Sequence, residues 1–431
     1  MPCDGDHVSV CSGESAPSFQ QKGLTGTRMS RINPQSATVG DALLLRAWAL
    51  DLLIRRGPAT RAPASGASDS LATWELFLRS ERCSLPLRSR LAAGSPSPLG
   101  VGAAQLLERL ATIELQRAIS ARGQLLEIGR LAAAHRLEPI VLKGGVAALS
   151  DDDPVDLADV DILLPREHGE LLARLLNERG YRSTIAGSAA HLPACFDPEA
   201  LPIEVHFAIN DLNESGELRA RARPFPGFPG LWRLSPPDHL WHLLVHSAVS
   251  HPDRRGSLRD LLLIQSAARQ CSAAELEDVS ARIATLSRSA PLSAMLGLAR
   301  AVGSGVARID CFRPEAAANY LLRSRFPWLA RSQVLQRMSA TVFVLLGSRW
   351  DRQTEWAEAS RHREPWEQST WKFLAALQRR SPWLGGTTRR LLRMGRVVLG
   401  RLLAWPVAAS ARRLAERSVP VPARVDQTVV P

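Results

Sequence analysis

An α+β fold, mostly helical, is predicted by two changes of period along the 431-residue chain. Apolar residues recur at helical spacing up to about residue 136, alternate in short runs over residues 137–212, and return to helical spacing from Pro237 onward. A small mixed sheet flanked by N- and C-terminal helical regions is the arrangement this order implies.

Residues 1–37 are rich in Ser, Gly and Pro without apolar periodicity, so they are expected to be a disordered leader. The helical N-terminal region, 38–136, rests on three stretches: Ala42 to Arg55 (Leu43, Leu44, Trp48, Leu52), Leu71 to Arg82 (Leu71, Trp74, Leu76, Phe77), and Ala103 to His135. The first two are separated by the linker GPATRAPASGASD. At Glu138 the period changes. Ile140-Val141-Leu142 ends in Gly144-Gly145 as a buried strand entering a turn. Val160 to Leu164 alternates as a second strand, Pro165 opens a helix that Gly180 stops, and Pro202 to Ile209 alternates again. A helical C-terminal domain is expected over 213–371, from the patterns at 237–269, 273–310 and 314–346. Seven of the eleven tryptophans lie from Trp328 onward, which suggests packed helices there.

Composition narrows the class. With 45% apolar and 22% charged residues the chain has the balance of a globular protein. Cys3, Cys11, Cys83, Cys195, Cys271 and Cys311 show no C-x-x-C pairing, which argues against a zinc ribbon or a disulfide scaffold and for reduced thiols in the cytoplasm. The start, MPCDGDHVSV, has neither a basic n-region nor an apolar run, so no secretory signal is expected. The longest charge-free stretch, residues 91–107, falls short of the ~20 residues of a transmembrane helix, so no span is expected.

The formal charge of +12 is unevenly placed. From Lys372 onward twelve basic residues face only Glu416 and Asp426, so +10 belongs to a basic tail, 372–431, and +2 to the rest. Within the tail, residues 387–403 set Arg389, Arg390, Arg393, Arg396 and Arg401 opposite Leu391, Leu392, Val398, Leu399, Leu402 and Leu403. This is a basic amphipathic helix, open to docking on the protein's own body, to RNA, or to peripheral contact with an anionic membrane surface. Only Lys22, Lys143 and Lys372 are lysines among 54 basic residues.

One constellation carries chemistry. Asp159 and Asp161 are one residue apart on an expected strand, so both carboxylates fall on one face. Hard cations such as Mg²⁺ take oxygen ligands, and phosphoryl transfer holds such ions between carboxylates and substrate phosphates. Glu204 sits on the next alternating strand, between Ile203 and Val205, and supplies a third carboxylate if the two strands pair; His206 shares its face. Upstream, Gly144 and Gly145 follow a strand where backbone N–H groups can approach phosphate, and Lys143 adds a point charge. Singly each element is ordinary: a Gly-Gly pair is a turn, an Asp-x-Asp a solvated edge. Their order along the chain is what unites them.

VLKGGVAAL, ADVDILLP, the Gly180-Tyr181 pair and PIEVHFAI together resemble the uncharacterised nucleotidyltransferases of the polymerase-β-like superfamily. The resemblance implies that Gly144 and Gly145 match the glycine loop, Asp159 and Asp161 the metal pair, and Glu204 the third carboxylate. It implies Mg²⁺ or Mn²⁺ as cofactor, a nucleoside triphosphate as substrate, and transfer to an unknown acceptor: a small molecule, sugar, peptide or RNA. TWELFLRSER, LWHLLVHSAVSH and SLRDLLLI are similar to helices around that core, so the likeness covers about residues 40–345 and makes His246 and Asp260 candidates for substrate or supporting contacts. The chain departs from the family in one respect. The arginine usual shortly before the Asp-x-Asp is replaced by DDDPVDLADVD, which motivates an alternative reading as a catalytically inactive nucleotide-binding regulator. A third reading is a nucleic-acid or membrane-surface binder acting through the tail. His239, His242 and His246, with His251 beyond, also have the helical spacing of a zinc site, although no cysteine or carboxylate pattern supports one. On this reading Asp161→Ala abolishes transfer and leaves folding nearly intact.

Overall fold

Four helices precede the first strand in the computed structural model, which describes residues 39–54, 70–92, 99–150, 155–183, 191–209, 215–250, 255–286, 289–300, 312–325 and 406–414. They are α1 (Val39–Leu53), α2 (Leu71–Glu81), α3 (Ser84–Ala92) and α4 (Val101–His135). Local chemistry sets their ends. The Ser70 side chain accepts the Thr73 N–H to cap α2, and Arg82 closes it in the left-handed region at φ 53°. The α3 start is capped from a distance: Glu114 on α4 accepts the N–H groups of Ser84 (3.1 Å) and Leu85 (2.7 Å).

The middle of the chain builds the sheet. In order come β1 (Ile140–Val141), α5 (Gly144–Leu149), β2 (Val160–Leu163), α6 (Arg166–Glu178), β3 (Arg182–Ser183), β4 (Cys195–Phe196), β5 (Ile203–His206), α7 (Ser215–Ala220), β6 (Arg223–Pro224) and β7 (Trp232–Arg233). The seven strands lie in the order β3-β4-β5-β2-β1-β7-β6. β2 runs parallel to β5 and β1 parallel to β7, the other pairs being antiparallel, so the sheet is mixed. The sheet thus continues past residue 212 into β6 and β7, because strands of two residues are too short to show an alternating pattern.

C-terminal to the sheet the chain is helical again: α8 (Pro236–Val245), a π-helical turn (His246–Ser250), α9 (Leu258–Arg269), α10 (Ala273–Thr285), α11 (Ser289–Arg300) and α12 (Arg313–Arg325). The stretch 237–269 therefore holds two helices, since Gly256 at φ 72° and the Ser257 cap on the Asp260 N–H start a new one. The leader 1–37, the linker 57–69, the stretch 326–346 and the amphipathic segment 387–403 lie outside the described residues. No helix among the described residues is long and apolar enough to cross a membrane.

β2 is buried along its whole length, and its two faces meet different cores. Val160 and Ile162 pack with α4, α5 and α6, including Leu125, Ile128, Leu172 and Leu176. Leu163 packs on the other side, with Leu240, Leu244, Leu261 and Ile264 of α8 and α9. Asp161 shares the Leu163 face by the two-residue period, so it points toward the C-terminal helices. A buried network fixes how those helices sit. Glu81 accepts Arg46 Nη1 at 2.7 Å, the Leu258 N–H at 2.8 Å and the Tyr320 hydroxyl at 2.5 Å, while Arg46 Nη2 donates to the Gly256 carbonyl at 2.7 Å. The first turn of α9 is thereby tied to α1, α2 and α12.

Candidate active site

The parallel pairing of β2 with β5 sets Asp161 opposite Glu204 and Leu163 opposite His206. Paired residues project to the same face, so two carboxylates and an imidazole meet. Asp161 is only 3% exposed; its Oδ1 accepts Lys143 Nζ at 2.7 Å and His206 Nε2 at 2.8 Å, and His206 Nε2 lies 3.6 Å from Glu204 Oε2. Candidate ligand atoms of Asp161, Glu204 and His206 all lie within 4.8 Å of one another. Burial pushes the Asp161 carboxyl up, but the Lys143 ammonium and the His206 bond hold it well below the usual carboxylate range.

Asp159 stands differently. β2 begins at Val160, so Asp159 stands immediately before the strand. It is half-buried beside the group, and its carboxyl is raised by burial and by the charges of Asp161 and Glu204, against Lys143 and Arg259. Among the described residues the grouping with metal-ligand spacing contains His206 and not Asp159.

Lys143 reaches Asp161 from a strained turn. Its backbone lies at φ 48°, ψ −127°, and the Gly145 N–H closes the turn onto the Leu142 carbonyl at 3.1 Å. Glycine normally takes such a position; a side-chain-bearing residue there costs about 1–3 kcal/mol. From α8, His239 hydrogen-bonds the backbone of Lys143 and so braces the turn. The glycines serve packing. A Cβ on Gly145 would lie 2.8 Å from Val141 Cγ1, and one on Gly144 would lie 3.0 Å from Leu157 Cδ2 and 3.4 Å from Arg259 Nη2. With its N–H committed inside the turn, Gly145 offers no backbone donor to a ligand.

Beside Lys143 lies a small pocket, with room for about one water, lined by Leu243, His246, Ser247, Arg259, Asp260 and Leu263. His246 and Ser247 reach it from the π-helical turn, a local widening frequent at functional sites. Asp260 accepts Ser247 Oγ–H at 2.8 Å and Arg259 Nη1 at 3.0 Å, and Arg259 Nε donates to the Asp156 carbonyl at 2.6 Å. The Asp156 carboxylate is itself held by Arg82 at 2.6 Å and Arg117 at 3.0 Å. His246 and Asp260 thus line one pocket with Lys143. Arg259, which the sequence pattern did not single out, brings a guanidinium to the segment where the expected arginine is missing. The signal was present in SLRDLLLI, but nothing in a linear pattern says that its arginine folds back onto residue 156.

Deeper in α8, His242 is 4% exposed and neither ring nitrogen has a hydrogen-bond partner; His239 Nε2 is likewise unpartnered. Burial, then the nearby Lys143 charge, holds His242 well below the usual imidazole value, and burial lowers His239 to about 4. Both are neutral at pH 7. His239, His242 and His246 do not form a ligand cluster among the described residues, so the zinc pattern at these positions is helical spacing without convergence, and His251 lies outside the described residues.

A family model described as Uncharacterised nucleotidyltransferase matches residues 89–303, a span that holds the sheet, the Lys143 turn, the carboxylates and the pocket. This stretch of the chain belongs to that family. Nucleotidyl transfer is therefore the general role that the match supports, with a nucleotide as substrate. No curated protein matches the chain. The nucleotidyltransferase match ends inside the C-terminal helices, after α11, so it includes both helices that face Asp161.

Proposed function

We propose that the protein transfers a nucleotidyl group from a nucleoside triphosphate to an acceptor hydroxyl or phosphate, with Mg²⁺ or Mn²⁺ bound at Asp161, Glu204 and His206. The observation that carries this reading is the register of β2 against β5, which supports a cation site by bringing the three donors within 4.8 Å of one another. The donor set fits: two carboxylates suit a hard divalent ion, and an imidazole widens the choice toward Mn²⁺. When bound, such an ion neutralises charge on the triphosphate and polarises the phosphoryl group under attack.

The chain's own residues supply the rest. Asp161, almost wholly buried and ionised, gives the site its fixed negative charge. Asp159, whose proton is held more tightly by burial and by the charges of Asp161 and Glu204, is a further carboxylate for cation or acceptor. Lys143, the one lysine among the described residues in an arginine-rich chain, carries a compact ammonium on a thin stem from the braced turn and offers it to phosphate oxygens. The acceptor belongs to one of four classes: a small molecule, a sugar, a peptide or RNA.

The test is turnover of each of the four α-³²P-labelled triphosphates with MgCl₂ or MnCl₂ and cell extract as the source of acceptors. Label moving to an extract component with release of pyrophosphate, lost in Asp161→Asn and Glu204→Gln, is the expected result. Equal turnover in both variants would remove the assignment.

A further inference from the structure

We infer that Lys143 is a built-in counter-cation of the Asp161, Glu204 and His206 group: its ammonium takes the place of a second metal ion, holds the site to one divalent cation and sets how tightly that ion binds. This rests on the reading of the three donors as a cation site and names what regulates it. The first support is where the ammonium sits. Lys143 Nζ donates to Asp161 Oδ1 at 2.7 Å, and the same oxygen accepts His206 Nε2 at 2.8 Å. Whichever oxygen of Asp161 an ion takes, it meets a carboxylate that already holds a positive charge at bonding distance. Ion and ammonium repel each other and compete for that carboxylate.

The second support is that the backbone builds this pairing. β1 runs antiparallel to β2, and the Leu142 N–H continues the ladder onto the Asp161 carbonyl at 3.0 Å, so the next residue, Lys143, emerges beside Asp161. The turn that carries it, at φ 48°, is closed by the Gly145 N–H and braced from α8 by His239. The Lys143 and Asp161 side chains are 14% and 3% exposed, so water screens the pair far less than it screens a surface ion pair.

The third support is the charge count. Asp159 feels the charges of Asp161, Glu204 and Lys143, and Arg259, which also acts on it, is matched by Asp260 at 3.0 Å. His239 and His242 on α8 are neutral at pH 7 and add nothing. A coordinating imidazole is neutral as well, so three carboxylates against one ammonium leave two negative charges, which one divalent ion balances. A second ion would leave the group positive inside a largely buried site, where uncompensated charge is costly.

The experiment titrates the full-length protein with MnCl₂ alone and counts bound ion from the electron paramagnetic resonance of free Mn²⁺. The wild-type protein is expected to bind one Mn²⁺ per chain. Lys143→Met keeps an unbranched stem and removes the charge. It should bind Mn²⁺ at least about tenfold more tightly, because a unit charge about 4 Å from a divalent ion is worth more than that even at the dielectric constant of water. Lys143→Arg keeps the charge and should stay within about threefold of wild type. Two Mn²⁺ of like affinity on each wild-type chain overturn the inference without recourse to any variant. So does a folded Lys143→Met protein that binds Mn²⁺ no more tightly than wild type, or a Lys143→Arg protein that gains as much as Lys143→Met. Wild-type and Lys143→Met proteins that both bind no Mn²⁺ defeat the cation-site reading itself, a distinct result.

Discussion

Replacing Asp161 by asparagine removes one negative charge and almost no volume, and the structure sets the consequence. Oδ1 accepts two bonds from groups able to carry charge, Lys143 Nζ at 2.7 Å and His206 Nε2 at 2.8 Å, with Asp161 3% and Lys143 14% exposed. Each hydrogen bond to a charged group is worth about 1.5–3 kcal/mol, and a neutral amide oxygen at the same place recovers only part of that. The Lys143 ammonium loses its hydrogen-bonded counter-charge, and breaking one half of a buried pair costs about 3–5 kcal/mol. A loss of about 3 kcal/mol is expected for the metal-free protein, which lowers a urea midpoint by about 1 M. Asp161→Asn with Lys143→Met removes the stranded charge as well and should regain about 2 kcal/mol, a coupling that a double-mutant cycle reads directly. The expectation that Asp161→Ala leaves folding nearly intact is thereby revised: a carboxylate this buried holds two neighbours in place. An unchanged urea midpoint in Asp161→Asn would refute the electrostatic account.

Three other outcomes follow from the same geometry. Glu204 is 30% exposed and makes a single loose contact with His206, so Glu204→Gln should change metal-free stability by under about 0.5 kcal/mol; the gain that saturating MnCl₂ confers, about 3 kcal/mol at a hundred times Kd, should shrink sharply, and an equal rise in melting temperature with MnCl₂ would count against the site. His239, with its folded-state pKa lowered to about 4, stays neutral where an unfolded histidine takes a proton near pH 6.5; stability therefore falls as pH drops from about 6.5 to about 4, by about 3 kcal/mol for this group. In His239→Asn that slope should lessen, and urea midpoints at pH 7, 5.5 and 4.5 showing the wild-type slope would contradict it. Gly145→Ala forces a Cβ to 2.8 Å from Val141 Cγ1 and should cost about 1–3 kcal/mol; combining it with Val141→Ala should cost less than the two single changes together, as denaturation of all three variants would show.

The strand at Ile203–His206 was legible because apolar and polar residues alternate there, and β2 because an apolar run carries Asp161. β6, β7 and the break between α8 and α9 were not, because two-residue strands have no period and a turn inside an apolar stretch leaves the helical pattern unchanged. The Asp-x-Asp spacing picked out Asp161 of the carboxylate–imidazole group but not the donors that meet it, since those depend on the register between two strands.

Spacing along the chain alone marked out the helical and sheet regions, the Asp161 and Glu204 carboxylates on alternating strands and the Lys143-Gly-Gly turn, while the family resemblance pointed to the arginine missing before the acidic pair. Tertiary structure decided which donors meet, placing His206 within reach of Asp161 and Glu204 and leaving Asp159 at the strand entry. It also brought Arg259 across 103 residues of chain to the Asp156 carbonyl. The physical reason is one of range. Periodicity reports which face a side chain occupies within its own element, whereas the register between β2 and β5 and the seating of α9 are fixed by packing and buried hydrogen bonds between segments far apart in the chain.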